Sequence, residues 1–236
     1  DGTGFPIFRR ETVEFVRQYL PTEKEKIIPT QNTKQHTEHN RWDIHPEIPV
    51  EQRYDFDFAA HPVDVVGKKE RFRRNMEAIK ILKECEADNR FATPDEQIVL
   101  SKYVGWGGIP EAFDENNSSW ANEYEELISA LSPEEYNAAR ESTLTAFYTP
   151  QEVVKACYDI AENLGFKQGN ILEPSCGIGN FIGMKPKSMT DSKVYGIELD
   201  SVSAAIAQQL YQTASIVNNR YEKVDLPDNF YRSEEH

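Results

Sequence analysis

The sequence predicts an α/β protein whose parallel sheet is preceded by an all-helical N-terminal extension. The first observation is the order of elements after residue 143, where helical apolar periods alternate with short strand-like runs. The second is a glycine-containing turn directly after the first of these runs, where the loop of a buried parallel strand would lie. The third is the region 67–142, in which the apolar spacing is helical.

The extension is predicted to contain helices at 68–87, from Thr93 to about 103, at 119–131 and at 133–141. After the second of these, the run YVGWGGIPEAF (103–113) surrounds Trp106 with glycines. This composition indicates a tight turn held by an aromatic side chain. A structural turn is favoured for this run, and a direct functional role is the alternative.

The second half is predicted to contain a helix from Thr149-Pro150 to Leu164, strands at 170–172, 193–198 and 214–218, a short helix around Phe181 and a helix at 201–210. Gly165 is the expected stop of the first helix. The apolar side of that helix is predicted to consist of Val153, Val154, Cys157, Ile160, Ala161 and Leu164.

The residues before the extension carry weaker patterns. Residues 5–20 indicate a short strand and a helix that ends at Pro21. Residues 22–66 are polar and interrupted by prolines, which is typical of a linker or an extended arm. Four histidines fall here, but their spacing matches no ligand set, so no metal site is predicted; they are His36, His39, His45 and His61.

The composition indicates which cellular compartment suits the protein. The 236 residues include three cysteines, in no zinc or disulfide spacing, which suits a reducing cytosol. The longest apolar runs fall short of the roughly 20 residues that a membrane helix needs. We therefore expect a cytoplasmic protein with no membrane partner. The N-terminus lacks an initiator Met, so the chain is expected to be part of a longer protein.

The net charge of −14 has the wrong sign for a nucleic-acid binder, but the charges are segregated along the chain. The stretch from 68 to 83 is strongly basic, and the stretch from 84 to 141 is strongly acidic. A local phosphate-binding face is therefore one hypothesis, and a solvated basic helix face is the other. The cations that would contact nucleic acid are Lys68, Lys69, Arg71, Arg73 and Arg74.

A glycine turn and two acids carry the functional prediction. The turn has only two glycines and no Gly-Lys-Ser/Thr, so it is neither a full dinucleotide fingerprint nor a P-loop. Glu198 ends a strand about twenty residues later, where a carboxylate can accept from a ribose diol. Glu173 lies beside the turn, where it would repel a diphosphate but suit a cation. S-adenosylmethionine fits these groups better than a nicotinamide dinucleotide; two surface acids at strand ends are the structural alternative.

The runs FYTPQEVV (147–154), NILEPSCGIGNF (170–181) and VYGIELD (194–200) resemble the amino-methyltransferases that methylate adenine N6 in DNA. The resemblance implies a Rossmann-like, S-adenosylmethionine-dependent methyltransferase sheet. It also implies cofactor-binding roles for Phe147, Tyr148, Thr149, Pro150, Glu173, Pro174, Ser175, Cys176, Gly177, Gly179, Phe181 and Glu198, with Asn219, Tyr221 and Glu222 as candidates near the adenine. Cys176 need not be a nucleophile, because methylation of an exocyclic amine requires no covalent enzyme intermediate.

Over roughly 55–230, the order of segments is similar to the methylase region of very large helicase–methylase proteins of bacterial conjugative elements and plasmids. This resemblance implies DNA and the helicase region of the same polypeptide as partners. The domains it implies are 1–21, the tail of a preceding module; 22–66, a linker or extended arm; 67–142, a helical N-terminal domain; and 143–236, an incomplete cofactor-binding methyltransferase subdomain.

One departure limits this interpretation. Adenine-N6 methyltransferases carry an Asn/Asp/Ser-Pro-Pro-aromatic motif after the fourth strand, and this sequence has none. We therefore assign no catalytic residue, expect a sheet truncated at its C-terminal side, and expect the chain alone to be inactive although its parent is an enzyme. Two alternatives stay open: a non-catalytic platform that docks DNA or supports the helicase, and a methyltransferase for protein or small-molecule amines.

Overall fold

The computed structural model describes residues 42–61, 64–144 and 148–226. The expectations for residues 1–21 and for Phe147 lie outside this part of the chain. Within it, no helix combines the length and the apolar character that crossing a membrane requires.

Helices and strands follow one another in the predicted order. The extension contains α1 (Lys68–Ala87), α2 (Pro94–Leu100), α3 (Ala121–Ala130) and α4 (Pro133–Ser142). The second part contains α5 (Gln151–Asn163), β1 (Asn170–Glu173), α6 (Asn180–Gly183), β2 (Lys193–Glu198), α7 (Ser201–Leu210) and β3 (Ser215–Asn218). The fold is therefore mixed α/β, as the alternation of periods predicted.

The three strands form one parallel sheet in the order β1-β2-β3. Leu172 of β1 pairs with Tyr195 of β2, and Gly196 of β2 pairs with Ile216 of β3. Helices α6 and α7 make the two crossovers, so the loops after all three strands emerge at the same edge of the sheet. This architecture is compatible with a Rossmann-like sheet.

Local capping chemistry starts α2 and α4 close to their predicted positions. The hydroxyl groups of Thr93 and Ser132 each accept from the backbone N–H of a glutamate three residues later. The side chain of that glutamate accepts from the backbone N–H of the capping residue, which forms capping boxes at α2 and α4. At α5 the sequence prediction is wrong in detail. The N-cap is Pro150, not Thr149, and no side chain bonds to the free N–H groups there.

The buried face of α5 also differs from the predicted apolar side. Val154 and Tyr158 are buried in a small cluster with Met189, whereas Val153 is 49% and Ile160 is 41% exposed. The helix was expected to bury a wide apolar stripe. Within the described residues it buries a narrow one instead, because its contacts come from α6 and the turn before β2 rather than from a broad sheet face.

The helical extension and the sheet share one apolar core. Leu82 of α1 and Leu100 of α2 lie in the same cluster as Leu210 of α7 and Ile216 of β3. All four side chains are almost completely shielded from water. Burial of this kind stabilises the folded state by about 1.5–3 kcal/mol per large aliphatic side chain.

Buried amides fix the orientation of the two parts. Gln97 Nε2 donates to the carbonyls of Tyr54 and Gln209 at 2.9 Å each. Gln209 Oε1 accepts from the N–H of Ala92 at 2.6 Å, and Gln212 Nε2 donates to the Ala92 carbonyl at 2.8 Å. Because each bond is directional, the network determines how the extension sits on α7 as well as holding it there.

The described part of the predicted arm, 42–61, packs against the rest of the protein. Phe56 and Phe58 are buried in the shared core. Arg53 forms an ion pair with Asp43 at 2.8 Å and donates to the carbonyl of Gln212 at 3.0 Å. This packing differs from the linker or extended arm that the composition predicted for 22–66. The two buried phenylalanines gave no periodic pattern in a stretch that is otherwise polar and rich in proline. The division of the chain into domains stays a prediction.

The glycine-rich turn at 103–108 is held by one buried side chain of α1. Asn75 Oδ1 accepts from the N–H of Val104 at 2.9 Å, and its Nδ2 donates to the carbonyl of Gly105 at 2.7 Å. Asn75 is fully buried. Without it, a backbone donor and a backbone acceptor would lose their partners.

Replacing Asn75 by alanine is expected to lower the free energy of unfolding by about 2–4 kcal/mol, because each orphaned buried polar group costs roughly 1–3 kcal/mol. Urea denaturation followed by circular dichroism measures this change. Lys80→Ala, at an exposed position of the same helix, is the control and should change stability by less than about 0.5 kcal/mol. Equal stability of the two variants would contradict the bridging role of Asn75.

Candidate cofactor site at the carboxyl edge of the sheet

The turn after β1 has a backbone that glycine makes possible. Gly177 and Gly179 adopt φ values of 54° and 88°, in the left-handed region. Gly179 is also the N-cap of α6, and its N–H donates to the carbonyl of Cys176 at 2.7 Å. The turn therefore reverses the chain tightly at the edge where the loops after β2 and β3 also emerge.

Glu198, the last residue of β2, contacts this turn directly. Its Oε2 accepts from the N–H of Gly177 at 2.7 Å, and its Oε1 accepts from the N–H of Asp200 at 2.8 Å. Asp200 in turn caps α7 by accepting from the N–H of Ser203 at 2.8 Å. The structure thus brings together the two features that the sequence analysis singled out, although they are 21 residues apart.

Burial shapes the acidity of this carboxyl group. The pKa of Glu198 is raised from its ordinary value of 4.5, chiefly because burial disfavours the charged form. The N–H groups of Asp200 and Gly177 act in the opposite direction, since they stabilise the carboxylate. The acid is therefore held in a defined orientation by hydrogen bonds in a partly water-excluded place.

The faces of both glycines are covered by the chain's own aromatic rings. A methyl group at Gly177 would lie 2.5 Å from the ring of Tyr148, and one at Gly179 would lie 2.4 Å from the ring of Tyr211. The sequence analysis expected these glycines to let a ligand approach the backbone. Instead, the close approach is made by tyrosines, and the Tyr148 hydroxyl lies 3.0 Å from Ser203 Oγ.

Cys176 packs inside the turn. Its side chain is buried, its N–H donates to the carbonyl of Ile197 at 3.0 Å, and its Sγ lies 2.9 Å from where a side chain at Gly196 would begin. Burial raises the pKa of the thiol well above its ordinary value of 9.0. A neutral thiol is a weak nucleophile, so the geometry gives Cys176 a packing role.

A cavity of about 310 Å³ lies between the turn and the extension. Tyr148, Thr149 and Pro150 line it on one side, and Arg71 lines it on the other. Asn180 also lines it; its Oδ1 is shielded from solvent and has no hydrogen-bond partner among the described residues. The cavity brings together the described part of the 147–150 segment, but Glu198 does not line it.

The other predicted site residues lie around the turn after β1 and the cavity. Phe181 packs near the ring of Tyr158, whose hydroxyl donates to the Phe181 carbonyl at 2.7 Å. Glu173 and Pro174 are partly buried between β1 and the turn, and Ser175 is exposed. Phe181 therefore contributes to packing beside the turn.

The candidates after β3 lie at the surface. Asn219 donates its backbone N–H to the Glu198 carbonyl at 3.0 Å, which places it next to the acid. Tyr221 is 42% exposed, and Glu222 is exposed beside Arg220 at 3.7 Å. The structure brings Asn219 to the acid, whereas Tyr221 and Glu222 are exposed.

Sequence reasoning missed four residues that build this region. Asp200 and Ser203 carry an N-capping pattern that was available in the sequence. Asn180 and Tyr211 gave no local signal, because their roles depend on which turn each one packs against.

The five cations proposed to contact nucleic acid all have partners within the protein. Those partners are Glu111 for Lys68, Glu123 for Lys69, the Gly107 carbonyl for Arg71, Glu70 and Glu77 for Arg73, and Asp64 and Glu70 for Arg74. The guanidinium groups lower the pKa values of Glu70 and Asp64 to about 2. The basic face is thus largely neutralised by neighbouring carboxylates.

The parallel sheet, the glycine turn after its first strand and the acid that ends its second strand are compatible with a Rossmann-like methyltransferase. Comparison with curated proteins agrees in part. The Type II methyltransferase M.CvrRI of Paramecium bursaria Chlorella virus XZ-6E is 36% identical over 74 residues, which are 31% of this chain and 19% of that protein. The Defense against restriction protein B of Escherichia phage P1 is 27% identical over 163 residues, 68% of this chain and 6% of that protein.

The chain therefore spans 19% and 6% of the lengths of these two relatives. No protein-family model matches the sequence, and no solved structure was found to match it. The similarity reaches a methyltransferase over part of the chain, and the helicase–methylase architecture rests on the resemblance alone.

Native labelling with N-ethylmaleimide at pH 7.5 tests whether the turn is closed. We expect Cys176 to react at least about tenfold more slowly in the folded chain than in urea, because burial both shields the thiol and keeps it protonated. Peptide mass spectrometry measures the rates, with the half-buried Cys157 as an internal comparison. Equal rates for Cys176 in folded and unfolded chain would contradict the closed turn.

Proposed function

We propose that this chain supplies the S-adenosylmethionine-binding portion of a DNA adenine-N6 methyltransferase that belongs to a larger helicase–methylase protein. The observation that carries the proposal is the direct contact between the Glu198 carboxylate and the N–H of Gly177 at the carboxyl edge of a parallel sheet. The partial similarity to a type II methyltransferase supports it.

Three features fit such a ligand. Glu198 accepts from the backbone N–H groups of Gly177 and Asp200, and a carboxylate has about four acceptor positions, so it keeps acceptor capacity for a ribose hydroxyl. Asn180 Oδ1 has no hydrogen-bond partner within the described part of the chain, and its place in the cavity beside Thr149 and Pro150 suits an ammonium group. Glu173 ends β1 beside the turn, where its charge would stabilise a cationic centre.

The bound cofactor would supply a methyl group on a sulfonium, ready for transfer to an amine. The residues of this chain would orient it. Glu198 would hold the ribose, the turn would exclude water from one side, and the Tyr148–Pro150 segment would line the amino-acid end. Because the sequence has no Asn/Asp-Pro-Pro-aromatic motif, we expect this chain alone to bind cofactor without methylating DNA.

DNA as the substrate, the helicase region as a neighbour in the same polypeptide, and a cytoplasmic bacterial setting belong to the same proposal. DNA is supported by the partial methyltransferase similarity. The helicase context and the mobile-element origin rest on the resemblance of the segment order over roughly 55–230.

One observation favours a second candidate, a non-catalytic methylase-like platform that docks DNA or supports the helicase. The rings of Tyr148 and Tyr211 cover the faces of Gly177 and Gly179, which a ligand-binding turn would leave open. A platform would keep the fold while using these surfaces for packing.

Calorimetric titration with S-adenosyl-L-homocysteine distinguishes the two. We expect wild-type chain to bind, and Glu198→Gln to bind at least about tenfold more weakly, because it loses a charge-assisted contact worth roughly 1.5–3 kcal/mol. Asp191→Asn, an exposed acid near the opposite edge of the sheet, is the matched control and should bind like wild type. Absence of binding by the wild-type chain would favour the platform, and binding unchanged in Glu198→Gln would reject the ribose assignment.

The pH dependence of the same titration has a defined sign. Since the pKa of Glu198 is raised above 4.5, binding should weaken as the pH falls through that raised value, and the dependence should disappear in Glu198→Gln. Folding stability responds oppositely. A raised carboxyl pKa contributes stability below 4.5 that is lost as the pH rises through the folded-state pKa.

DNA contact by the basic face predicts a specific salt effect. If Arg73 leaves its glutamate partners for a phosphate, the association constant for DNA should depend less on salt in Arg73→Gln. The slope of its logarithm against the logarithm of the salt concentration should become less negative by about 0.9. Fluorescence anisotropy with an adenine-containing duplex measures the slope. Lys193→Gln, at the start of β2 and away from the loops, is the control. An unchanged slope in Arg73→Gln would remove this residue from the proposed DNA face.

A further inference from the structure

The glycine-rich turn at 103–108 is rigidly held on its own side. Gly105 and Gly108 adopt φ values of 66° and 75°, which favour glycine. Trp106 between them is fully buried, with the ring of Phe113 at 5.4 Å and that of Phe72 at 6.0 Å. The turn is thus an anchored part of the helical extension.

The ring of Tyr148 lies between this turn and the turn after β1 at 174–180, which we call the cofactor turn. A methyl group at Gly105 would lie 3.3 Å from the Tyr148 ring and hydroxyl, and one at Gly177 would lie 2.5 Å from the other edge of the same ring. Two glycines with positive φ, from turns far apart in sequence, therefore face one aromatic side chain. Only residues without a side chain allow both approaches.

A chain of hydrogen bonds also links the Tyr148 hydroxyl to the cofactor turn. The Tyr148 hydroxyl lies 3.0 Å from Ser203 Oγ, which also donates to Asp200 Oδ2 at 2.5 Å. The Asp200 N–H donates to Glu198, and Glu198 accepts from Gly177. Tyr148 thus touches Gly177 through its ring and is linked to the same residue through the acid.

We propose that the 103–108 turn positions the cofactor turn, with Tyr148 as the positioning residue between them. The inference rests on the proposed function, since it makes the helical extension a determinant of cofactor binding. Displacement of Tyr148 moves the Gly177 N–H and, through Ser203 and Asp200, the Glu198 carboxylate. By linkage, a ligand bound at the cofactor turn must also act on the 103–108 turn.

The test compares two substitutions at glycines that both have left-handed φ values, 66° at Gly105 and 91° at Gly165. In Gly105→Ala the new methyl group pushes against Tyr148, whereas in Gly165→Ala, with φ of 91°, nothing lies within 4 Å of it. We expect Gly105→Ala to bind S-adenosyl-L-homocysteine about tenfold more weakly, within the range usual for coupled sites, and Gly165→Ala to bind like wild type. Circular dichroism and urea denaturation verify that both are folded.

A spectroscopic signal separates positioning from general destabilisation. The chain is labelled with 5-fluorotryptophan, and the fluorine resonance of Trp106 is assigned by replacing Trp42 and Trp120 with phenylalanine. Saturation with S-adenosyl-L-homocysteine should shift this resonance in wild type. The shift should vanish in Tyr148→Ala at saturating ligand, because the connecting ring is gone.

A third measurement needs no ligand. Hydrogen exchange of the Gly177 amide, read by nuclear magnetic resonance, should accelerate in Gly105→Ala and stay unchanged in Gly165→Ala. If wild type binds but the Trp106 resonance does not move, or if the two alanine variants bind alike, this inference is wrong while the proposed function stands. If wild type does not bind, the proposed function fails, and the inference that rests on it fails as well.

Discussion

The partly buried contact between the Glu198 carboxylate and the N–H of Gly177 is the interaction on which the rest of the candidate site depends. It joins the end of β2 to the turn after β1, so it converts two neighbouring loops into one unit. Burial disfavours the charged form of this carboxyl group, and the backbone N–H groups of Gly177 and Asp200 stabilise that form. The orientation of the acid is thereby determined before any ligand arrives, which is the condition for tight binding.

This arrangement also gives an aromatic residue just before α5 a place in the candidate site. The turn after β1 needs a covering group, since its glycines expose backbone that would otherwise face a void. Tyr148 supplies that cover from a segment that precedes the sheet in sequence. Tyr148, to which the resemblance assigns a contact with the ligand, thus also covers the turn, and both roles require that its ring stays on the turn.

Much of the fold could be predicted from the sequence, because helix caps and strand periods are local. The capping boxes at Thr93 and Ser132 and the alternation from α5 to β3 are of this kind. Within the candidate site, only the nearness of Glu198 to the glycine turn followed from chain order, because both lie at the ends of neighbouring parallel strands; a role of Glu198 in binding stays a prediction. The ring positions of Tyr148 and Tyr211, the buried face of α5 and the pairing of the basic residues depend on tertiary neighbours, which no local pattern encodes.

The amides of Gln97, Gln209 and Gln212 have a consequence for how the molecule loses its structure. Separating the extension from α7 would strand these groups in an apolar core, so the free-energy cost rises before water can enter. The two halves are therefore expected to melt together in one cooperative event, with no stage at which a bare sheet survives. A destabilising substitution in either the extension or the sheet would then lower the midpoint of heat denaturation of both.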